Sequence, residues 1–309
     1  MAYSSRMQKN HLYSVFFAPR GFMRMADAGM QIAAHYLSPF DKLIGVIGDS
    51  GSGKSILING MFPGLELTND DDGVNVRPLP LLGVGEEAGF YTPHTYHVDI
   101  RFEMAFTQPH ELAEAIRSAV RLGKRVVVEH FDLIYSALGM NAHLLIGVGE
   151  EILITRPNLF GPEPEDVRKT VYASIPYRRM VHTAEDLCEF VLGKQQVPAY
   201  KHADVRHGFI LVFNEMPKID IPTLEANVQE MIAADIPISY YDERHITIGE
   251  HKHVCTGPRV HVKSTGQIEG FKLLENILVE PITNNYLLVG LVGKKSEERI
   301  SDLNKIIVG

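Results

Sequence analysis

The chain has 309 residues, about twice the length of an average domain, which predicts two domains, with one large domain as the alternative. Hydrophobic residues make up 45% and charged residues 22% of the sequence, and this globular composition excludes a largely disordered chain. The net charge of −8 disfavours a protein that coats DNA or RNA through general phosphate contacts, while specific recognition of one RNA end stays open.

The first part of the chain alternates between strand and helix patterns. Apolar or β-branched runs predict strands at residues 11–17, 43–47, 65–67, 97–102, 125–129, 144–148 and 152–155. Helical spacing predicts helices at 22–36, 54–61 and 109–122. Because strands that alternate with helices form parallel sheets, this part is predicted to be an α/β domain with a parallel sheet.

The second part of the chain has a different pattern. A helical pattern at 165–192, interrupted at Pro176, precedes a predicted helix at 222–234 and strands at 208–214, 238–241, 245–248 and 251–255. This smaller part is therefore predicted to be α+β. We place the boundary near residue 170, which divides the chain into domains 1–170 and 171–309.

A glycine-rich loop lies between the predicted strand at 43–47 and the helix at 54–61. It fits the phosphate-loop (Walker A) pattern and consists of Gly48, Asp49, Ser50, Gly51, Ser52, Gly53, Lys54 and Ser55. Glycines allow successive backbone N–H groups to wrap a phosphate, and the helix N-terminus adds the positive end of its dipole. Lys54 would reach the β- and γ-phosphates and Ser55 would bind Mg²⁺, so we expect ATP with Mg²⁺. A glycine-rich turn without a ligand is the alternative.

Carboxylates follow two of the predicted strands. Asp70, Asp71 and Asp72 follow residues 65–67, whereas Glu129 and Asp132 lie at the end of the strand at 125–129. The carboxyl ends of parallel strands converge on the ligand crevice. A carboxylate there can hold Mg²⁺ through water or accept a proton from an attacking hydroxyl. For the three aspartates, a solvated acidic turn is the alternative.

Residues 67–71 (LTNDD) and 126–130 (VVVEH) resemble segments of the uridine kinase and phosphoribulokinase group of P-loop kinases. The resemblance implies that Asp70 or Asp71 activates the hydroxyl of a small substrate and that Glu129 assists the metal, beside the catalytic role that the phosphate-loop pattern gives to Lys54. His130 stands where that family usually has glycine, which would alter the substrate side.

Proline and glycine cluster after the last predicted strand of the first domain. Four of the residues from 157 to 164 are Pro157, Gly161, Pro162 and Pro164, as in a loop, a linker or a mobile lid. Arg156 and Arg168 flank this cluster and are candidates for lid arginines that neutralise transferring phosphate. Ordinary surface arginines are the alternative.

Four of the seven histidines from His182 onward lie between residues 245 and 261. His251, His253 and Cys255 alternate, so on a strand all three point to one face, and His261 could supply a fourth ligand. Imidazoles and a thiolate are good ligands for Zn²⁺. The alternative is a polar strand edge with a buried cysteine.

Residues 255–257 (CTG), 261–268 (HVKSTGQI) and 271–272 (FK) resemble the second additional domain of alanyl- and threonyl-tRNA synthetases. Residues 182–184 (HTA) are similar to the start of its first metal-binding helix, and the resemblance covers about residues 178–275. That domain edits misacylated tRNA and also occurs in free-standing trans-editing proteins. The resemblance implies an editing-type fold, tRNA as a partner and a zinc site.

The chain departs from this family at two points of the zinc pattern. The family has two helical histidines four residues apart, and this chain has His182 and Asp186. Three residues separate the family's cysteine from its last histidine, but five separate Cys255 from His261. The extra residues must bulge, or His253 must take over as ligand. These departures favour retention of the editing fold over retention of the editing activity.

The sequence predicts a cytoplasmic protein. Two cysteines, Cys188 and Cys255, are too few for a disulfide framework. The apolar run at 15–18 is too short for a signal peptide, and no stretch approaches the roughly 20 apolar residues of a membrane span. We therefore expect a soluble protein in a reducing compartment, without a membrane partner.

Three functional hypotheses follow from the sequence. The leading one is an ATP-binding P-loop protein, a kinase-like phosphotransferase or NTPase, coupled to an editing-type domain that recognises a substrate or tRNA. The second is a trans-editing hydrolase of mischarged tRNA with the nucleotide as regulator. The third is a nucleotide-dependent sensor in which neither domain turns over substrate quickly.

Overall fold

The computed structural model describes residues 13–67, 81, 94–193 and 197–293. By their internal contacts, the residues group into two compact units. Unit 1 comprises Met1–Ala18 and Met23–Ala173, and unit 2 comprises Pro19–Phe22 and Ser174–Gly309. The fold of each unit determines where its candidate functional side chains lie.

Unit 1 is a mixed α/β unit built on a six-stranded sheet with the order β1-β6-β5-β2-β4-β3. Its strands are β1 (Ser14–Phe17), β2 (Leu43–Ile47), β3 (Thr95–Asp99), β4 (Arg125–Glu129), β5 (Leu144–Val148) and β6 (Glu151–Thr155). Its helices are α1 (Phe22–Tyr36, whose first residue belongs to unit 2), α2 (Lys54–Met61), α3 (Ile100–Glu103), α4 (Pro109–Arg121) and α5 (Phe131–Leu138). Strands β2, β3, β4 and β5 pair in parallel.

The prediction of a parallel sheet is wrong for one strand, because β6 runs antiparallel to both β5 and β1. Only Gly149 and Glu150 lie between β5 and β6. A parallel connection needs a crossover of a dozen or more residues, whereas two residues can only join the strands as a hairpin. The short connection therefore determines the direction of β6.

All five residues of β2 are buried, in agreement with its uninterrupted apolar sequence. Leu43 and Ile47 pack in one hydrophobic cluster, and Ile44 and Val46 pack in another. Successive side chains of a strand point to opposite faces, so unit 1 has a core on each side of its sheet. This packing holds the end of β2 in place, and with it the loop that follows.

Two predicted strands differ in the structure. Residues 65–67 form no strand, and the backbone N–H of Leu65 instead donates to the Phe62 carbonyl, which closes a turn after α2. The strand predicted at 97–102 ends at Asp99, where α3 begins. The side chain of Asp99 caps α3 by accepting a hydrogen bond from the Phe102 N–H, and this capping overrides the apolar alternation.

Helix α6 (Pro164–Leu192) crosses the division between the units, which falls between Ala173 and Ser174. It continues through Pro176, so the predicted interruption is wrong. Proline removes one helical hydrogen bond, but the following turns are held by packing. Val181, Ala184 and other buried residues of this segment belong to the main core of unit 2.

Unit 2 has an α+β pattern with two antiparallel sheets. Its remaining elements are β7 (Tyr200–Val205), β8 (Gly208–Phe213), α7 (Ile221–Ala233), β9 (Ile238–Asp242), β10 (His245–Ile248), β11 (His251–Val254), β12 (Lys272–Leu273), β13 (Leu278–Val279) and β14 (Tyr286–Leu291). One sheet has the order β11-β10-β9, and the other has the order β12-β14-β8-β7 with β13 paired to β14. The three-stranded sheet leads directly into residue Cys255 after β11.

Candidate functional site

The loop between β2 and α2 depends on glycine at three positions. Gly51 and Gly53 have φ values of 75° and 92°, in the left-handed region that glycine adopts without strain. A Cβ atom at Gly48 would lie 2.6 Å from the carbonyl oxygen of Val148 on β5. The backbone of this loop can therefore approach a ligand without side-chain interference, as phosphate binding requires.

Lys54 and Ser55, the first residues of α2, both face the carboxylate of Glu129 at the end of β4. Ser55 Oγ donates to Glu129 Oε1 over 3.1 Å, and Lys54 Nζ lies 3.9 Å from Glu129 Oε2. Lys54 also donates to the Asp49 carbonyl oxygen at 3.0 Å. Val46 pairs with Glu129 in the sheet, so the parallel register of β2 and β4 brings these residues together.

Strand β3 adds two side chains that the sequence analysis did not single out. His97 Nε2 lies 3.1 Å from Glu129 Oε1, and Asp99 is the register partner of Glu129. Asp99 also caps α3 through the N–H of Phe102. A carboxylate at a strand end that is also a helix cap was the available signal, since strand ends line ligand crevices.

Burial and charge shift the pKa values of these groups in different directions. Burial lowers the pKa of Lys54, although the Glu129 carboxylate offsets part of that shift. Burial acts to raise the pKa of Glu129, but the hydrogen bond and charge of His97 and the charge of Lys54 outweigh it, and the pKa is lowered. Burial and the nearby Glu129 raise the pKa of Asp99. Of the two carboxylates, Asp99 is therefore the better proton acceptor.

His130 follows Glu129 with φ 55° and ψ 44°, in the left-handed region. Glycine adopts this conformation most readily, but histidine is also enriched there. Burial, followed by the charge of Lys54, lowers the pKa of His130 to about 3, so its imidazole is neutral near pH 7. One atom each of Asp99, Glu129 and His130 lie within 4.8 Å of one another.

The other predictions for this site have separate outcomes. Asp70, Asp71 and Asp72 are outside the described residues. Arg156 binds Asp41 through both terminal guanidinium nitrogens, at 2.6 and 2.8 Å, next to the amino end of β2. Because the phosphate loop is at the opposite end of that strand, the interpretation of Arg156 as a lid arginine is wrong.

Arg168 lies closer to the phosphate loop than Arg156 does. Its guanidinium pairs with Glu165 at 2.7 Å and lies over the ring of Tyr172, 5.4 Å from the ring centre. The Tyr172 hydroxyl donates to the carbonyl oxygen of Gly48 at 3.5 Å. Asp132 is in the first turn of α5, and burial raises its pKa.

A second group of side chains, the four-ligand cluster, lies in unit 2 and consists of His182, Asp186, Cys255 and His261. His182 and Asp186 are four residues apart on α6, which puts them on one face of the helix. Cys255 follows β11, and His261 is in the next loop. One ligand atom from each residue lies within 4.8 Å of the others.

The distances in the cluster distinguish a metal site from a catalytic relay. Cys255 Sγ lies 3.2 Å from His182 Nε2 and 3.7 Å from His261 Nε2, and the same His261 nitrogen is 2.7 Å from Asp186 Oδ2. A cysteine–histidine–aspartate relay needs the thiol and the carboxylate on different ring nitrogens. Here both face Nε2, so the donors converge on one point.

The donor set fits tetrahedral zinc. Two imidazoles, a thiolate and a carboxylate are all zinc ligands, and zinc bonds of about 2.0 Å to nitrogen and 2.3 Å to sulfur put a nitrogen and a sulfur ligand about 3.5 Å apart. The nitrogen–sulfur distances of 3.2 and 3.7 Å are close to that value. Asp186 and His261 are at hydrogen-bond distance and would separate slightly around an ion.

The pKa values of the cluster reflect its burial. Burial lowers the pKa of His182 to about 3, so this imidazole is neutral, as a metal ligand must be. Burial raises the pKa of the Cys255 thiol well above its usual range. A coordinated zinc ion reverses such a shift, because it stabilises the thiolate directly.

The five residues between Cys255 and His261 fold back so that both side chains reach the cluster. The Gly257 N–H donates to Cys255 Sγ at 3.3 Å. His261 Nδ1 lies 3.2 Å from the Pro258 carbonyl oxygen, which orients the ring with Nε2 toward the cluster. Of the two outcomes that the sequence left open, the loop accommodates the extra residues, and His253 does not replace His261.

His253 belongs to a neighbouring group. One atom each of His253, Asp186 and Glu189 lie within 4.8 Å of one another, so Asp186 is common to both groups. The ring of His251 instead lies 5.7 Å from the ring of Phe190, and His251 is in neither group. Of the three residues predicted to form one ligand face, His253 and Cys255 therefore belong to groups of possible metal ligands and His251 does not.

Comparisons with known proteins identify no family for this chain: no protein-family model matches it, and a search of curated proteins finds no match. Among the helices in the described ranges, none combines the length and the apolar composition needed to cross a membrane. We therefore infer function from the geometry of the phosphate loop and of the four-ligand cluster.

Proposed function

We propose that unit 1 binds ATP with Mg²⁺ and transfers the terminal phosphoryl group to a small substrate that carries a hydroxyl group. The observation that carries this proposal is the convergence of Lys54 and Ser55 on Glu129, where β2 and β4 end. Open α/β sheets bind their ligands at this edge. We also propose that the sheet of unit 1 is of the P-loop NTPase type.

Each residue of the loop has a role in this proposal. The backbone N–H groups of the loop bind the phosphates, and Lys54 balances the charge of the β- and γ-phosphates. Ser55 Oγ binds Mg²⁺ directly and Glu129 holds it through water. The hydrogen bond between Ser55 and Glu129 supports these roles, because it shows that the two oxygens already lie close together.

Phosphoryl transfer also needs a proton acceptor. The substrate oxygen forms a bond to the γ-phosphorus, the bond to the bridging oxygen of ADP breaks, and the hydroxyl proton leaves. Asp99 is a candidate base, since its pKa is raised by burial and it lies beside Glu129. Asp70 or Asp71, outside the described residues, is the other candidate.

Calorimetry with ATP and Mg²⁺ tests the binding step. Lys54→Ala should lower the affinity about 100-fold, because charge-assisted hydrogen bonds to the phosphates are lost. Lys42→Ala, at the opposite end of β2, is the matched control and should bind as the wild type does. Unchanged affinity of Lys54→Ala would overturn the proposal. Tight binding without release of ADP in the presence of hydroxyl-bearing acceptors would favour the sensor hypothesis.

We propose zinc-dependent hydrolysis of the ester bond in mischarged tRNA as a second candidate function, performed by unit 2 with the nucleotide as regulator. The specific observation in its favour is the convergence of His182, Asp186, Cys255 and His261. A zinc ion bound there would supply Lewis-acid chemistry only if one of the four ligands gave up its position to water or substrate, since catalytic zinc sites keep one position open. The protein residues would hold and orient it, with Pro258 fixing the tautomer of His261.

Elemental analysis tests this second candidate. The purified protein should contain a zinc ion bound by this cluster, and Cys255→Ser and His261→Ala should each lose that ion. Cys188→Ala is the matched control, because Cys188 is buried in the core of the same unit and is not part of the cluster. A wild-type protein without zinc, or one that leaves mischarged tRNA intact while it holds zinc, argues against the hydrolase.

A further inference from the structure

We infer that unit 2 holds a second divalent metal ion beside the four-ligand cluster, bound by Asp186, Glu189 and His253, with Asp186 shared by both ions. This inference rests on the zinc site proposed above. One ligand atom from each of the three residues lies within 4.8 Å of the others. A carboxylate has two oxygens and can therefore serve two ions at once.

The same two segments of the chain supply both groups of ligands. On α6, His182 and Glu189 are four residues before and three residues after Asp186, so all three lie on one helical face. His253 is two residues before Cys255, and side chains two apart along an extended chain point the same way. The second group is thus the continuation of the first along both segments.

The imidazole of His253 has an unused ligand atom. Its Nε2 is buried and makes no hydrogen bond within the part of the chain that the structure describes. The His253 ring packs edge-to-face with the ring of Phe190, with 5.9 Å between the ring centres. Buried polar nitrogens are normally satisfied, and a metal ion is a partner that this nitrogen and the two carboxylates could share.

The charges around the group also favour a cation. Arg20 compensates two nearby carboxylates, Glu185 at 2.7 Å and Asp204 at 3.0 Å. Among the described residues, the basic partners of these two carboxylates are imidazoles and not lysine or arginine: His261 lies 2.7 Å from Asp186 and His202 lies 3.3 Å from Glu189. Asp186 is buried and Glu189 is partly buried, and a divalent ion would compensate both carboxylates where no ammonium or guanidinium group does.

A competing group of ligands can be set aside. Glu185, Glu189 and His202 also have atoms within 4.8 Å of one another. However, Arg20 Nε already donates to Glu185 at 2.7 Å, and a metal ion at Glu185 would face this guanidinium charge. Within the described ranges, Asp186 has no such guanidinium or ammonium group paired with it, so the ion is expected on the His253 side of Glu189.

The ligand chemistry distinguishes the two ions. The first group contains a thiolate, whereas the second contains one imidazole and two carboxylates, which suit Zn²⁺ or Mn²⁺. Two ions joined by a carboxylate are suited to hold a water as hydroxide between them, which is used for hydrolysis of esters and amides. The substrate class implied is a carboxylic ester or amide.

The inference is tested by measuring the metal content of the protein. The protein is first dialysed against a zinc solution and then against metal-free buffer. We expect two zinc ions per wild-type chain and one in both His253→Ala and Glu189→Gln. His251→Ala is the matched control, on the same strand but outside both groups, and should keep two. Zinc absorption fine structure should show a metal–metal distance of about 3.5–4 Å in the wild type, lost in His253→Ala.

The outcomes separate the two proposals. One zinc ion in the wild type, removed by Cys255→Ser and unaffected by His253→Ala, would overturn the second ion and leave the zinc site intact. Absence of zinc would overturn both. Two ions that persist in both His253→Ala and Glu189→Gln would overturn the assignment of ligands. In a titration with Co²⁺, the sulfur-to-metal charge-transfer absorption should saturate at one equivalent of Co²⁺ per chain. The visible d–d bands should continue to increase up to two equivalents. Saturation of both signals at one equivalent would contradict the second ion.

Discussion

Ser55 Oγ donates a hydrogen bond to Glu129 Oε1 over 3.1 Å, although the two residues are 74 positions apart in the chain. The contact joins the first turn of α2 to the end of β4. Ser55 is a member of a local sequence motif, whereas Glu129 is one carboxylate among many. Their contact makes the two residues parts of one site.

Replacement of Ser55 by alanine should affect ATP binding only when magnesium is present. We expect Ser55→Ala to lower the affinity for ATP about tenfold in Mg²⁺ and to leave it unchanged in a chelator, because one charge-assisted contact to the ion is lost. Calorimetry under both conditions measures this difference. Ser118→Ala on α4 is the control, and an equal loss with and without Mg²⁺ would contradict the assigned role.

The stability of unit 1 should depend on pH through His130. The pKa of this imidazole is about 3 in the folded protein and 6.5 for an unperturbed histidine, so between these values only the unfolded chain binds the proton. Stability is therefore lost as the pH falls below 6.5, by about 1.4 kcal/mol per pH unit. His130→Asn, which tolerates the same backbone conformation, should lose less stability. Thermal unfolding at pH 7 and pH 5 measures the difference in stability between the wild type and His130→Asn. The same difference at both pH values would refute the prediction.

Removal of Arg156 should destabilise unit 1 without weakening ATP binding. Asp41 has a side chain only 3% exposed and would be left as an unpaired buried charge. We expect Arg156→Ala to cost about 3 kcal/mol of unfolding free energy. The double variant with Asp41→Asn and Arg156→Met should lose less, since no charge is left uncompensated. A selective loss of ATP affinity in Arg156→Ala would instead restore its role as a lid arginine.

The close approach of α1 and α2 should not tolerate a methyl group at Gly60. A Cβ there would lie 2.2 Å from the carbonyl oxygen of Ala26, a backbone atom that cannot move alone. We expect Gly60→Ala to destabilise the protein by about 2 kcal/mol, although alanine has the higher helix propensity. Asn59→Ala, at an exposed position of α2, should be neutral or slightly stabilising. Denaturant unfolding measures the free energy of unfolding of both variants. Equal values for Gly60→Ala and Asn59→Ala would show that the helices can move apart to admit the methyl group.

Local patterns in the sequence were sufficient for most elements and for the glycine-rich loop between β2 and α2. The apolar run of β2, the glycines after it and the helical pattern from Lys54 are adjacent in the chain, so their geometry follows from neighbouring residues. The spacing of His182 and Asp186 likewise puts both on one face of α6. Such features depend on interactions over a few residues, which periodicity and turn chemistry express directly.

The tertiary structure decided which distant side chains meet. His97 and Asp99 join Glu129 only because β3 lies beside β4 in parallel register, and β6 reverses because its connection is short. The group of Asp186, Glu189 and His253 is formed by a helix and a strand far apart in sequence. Strand order and the path of a loop are determined by the packing of the whole unit, so periodicity in a short stretch of sequence does not contain them.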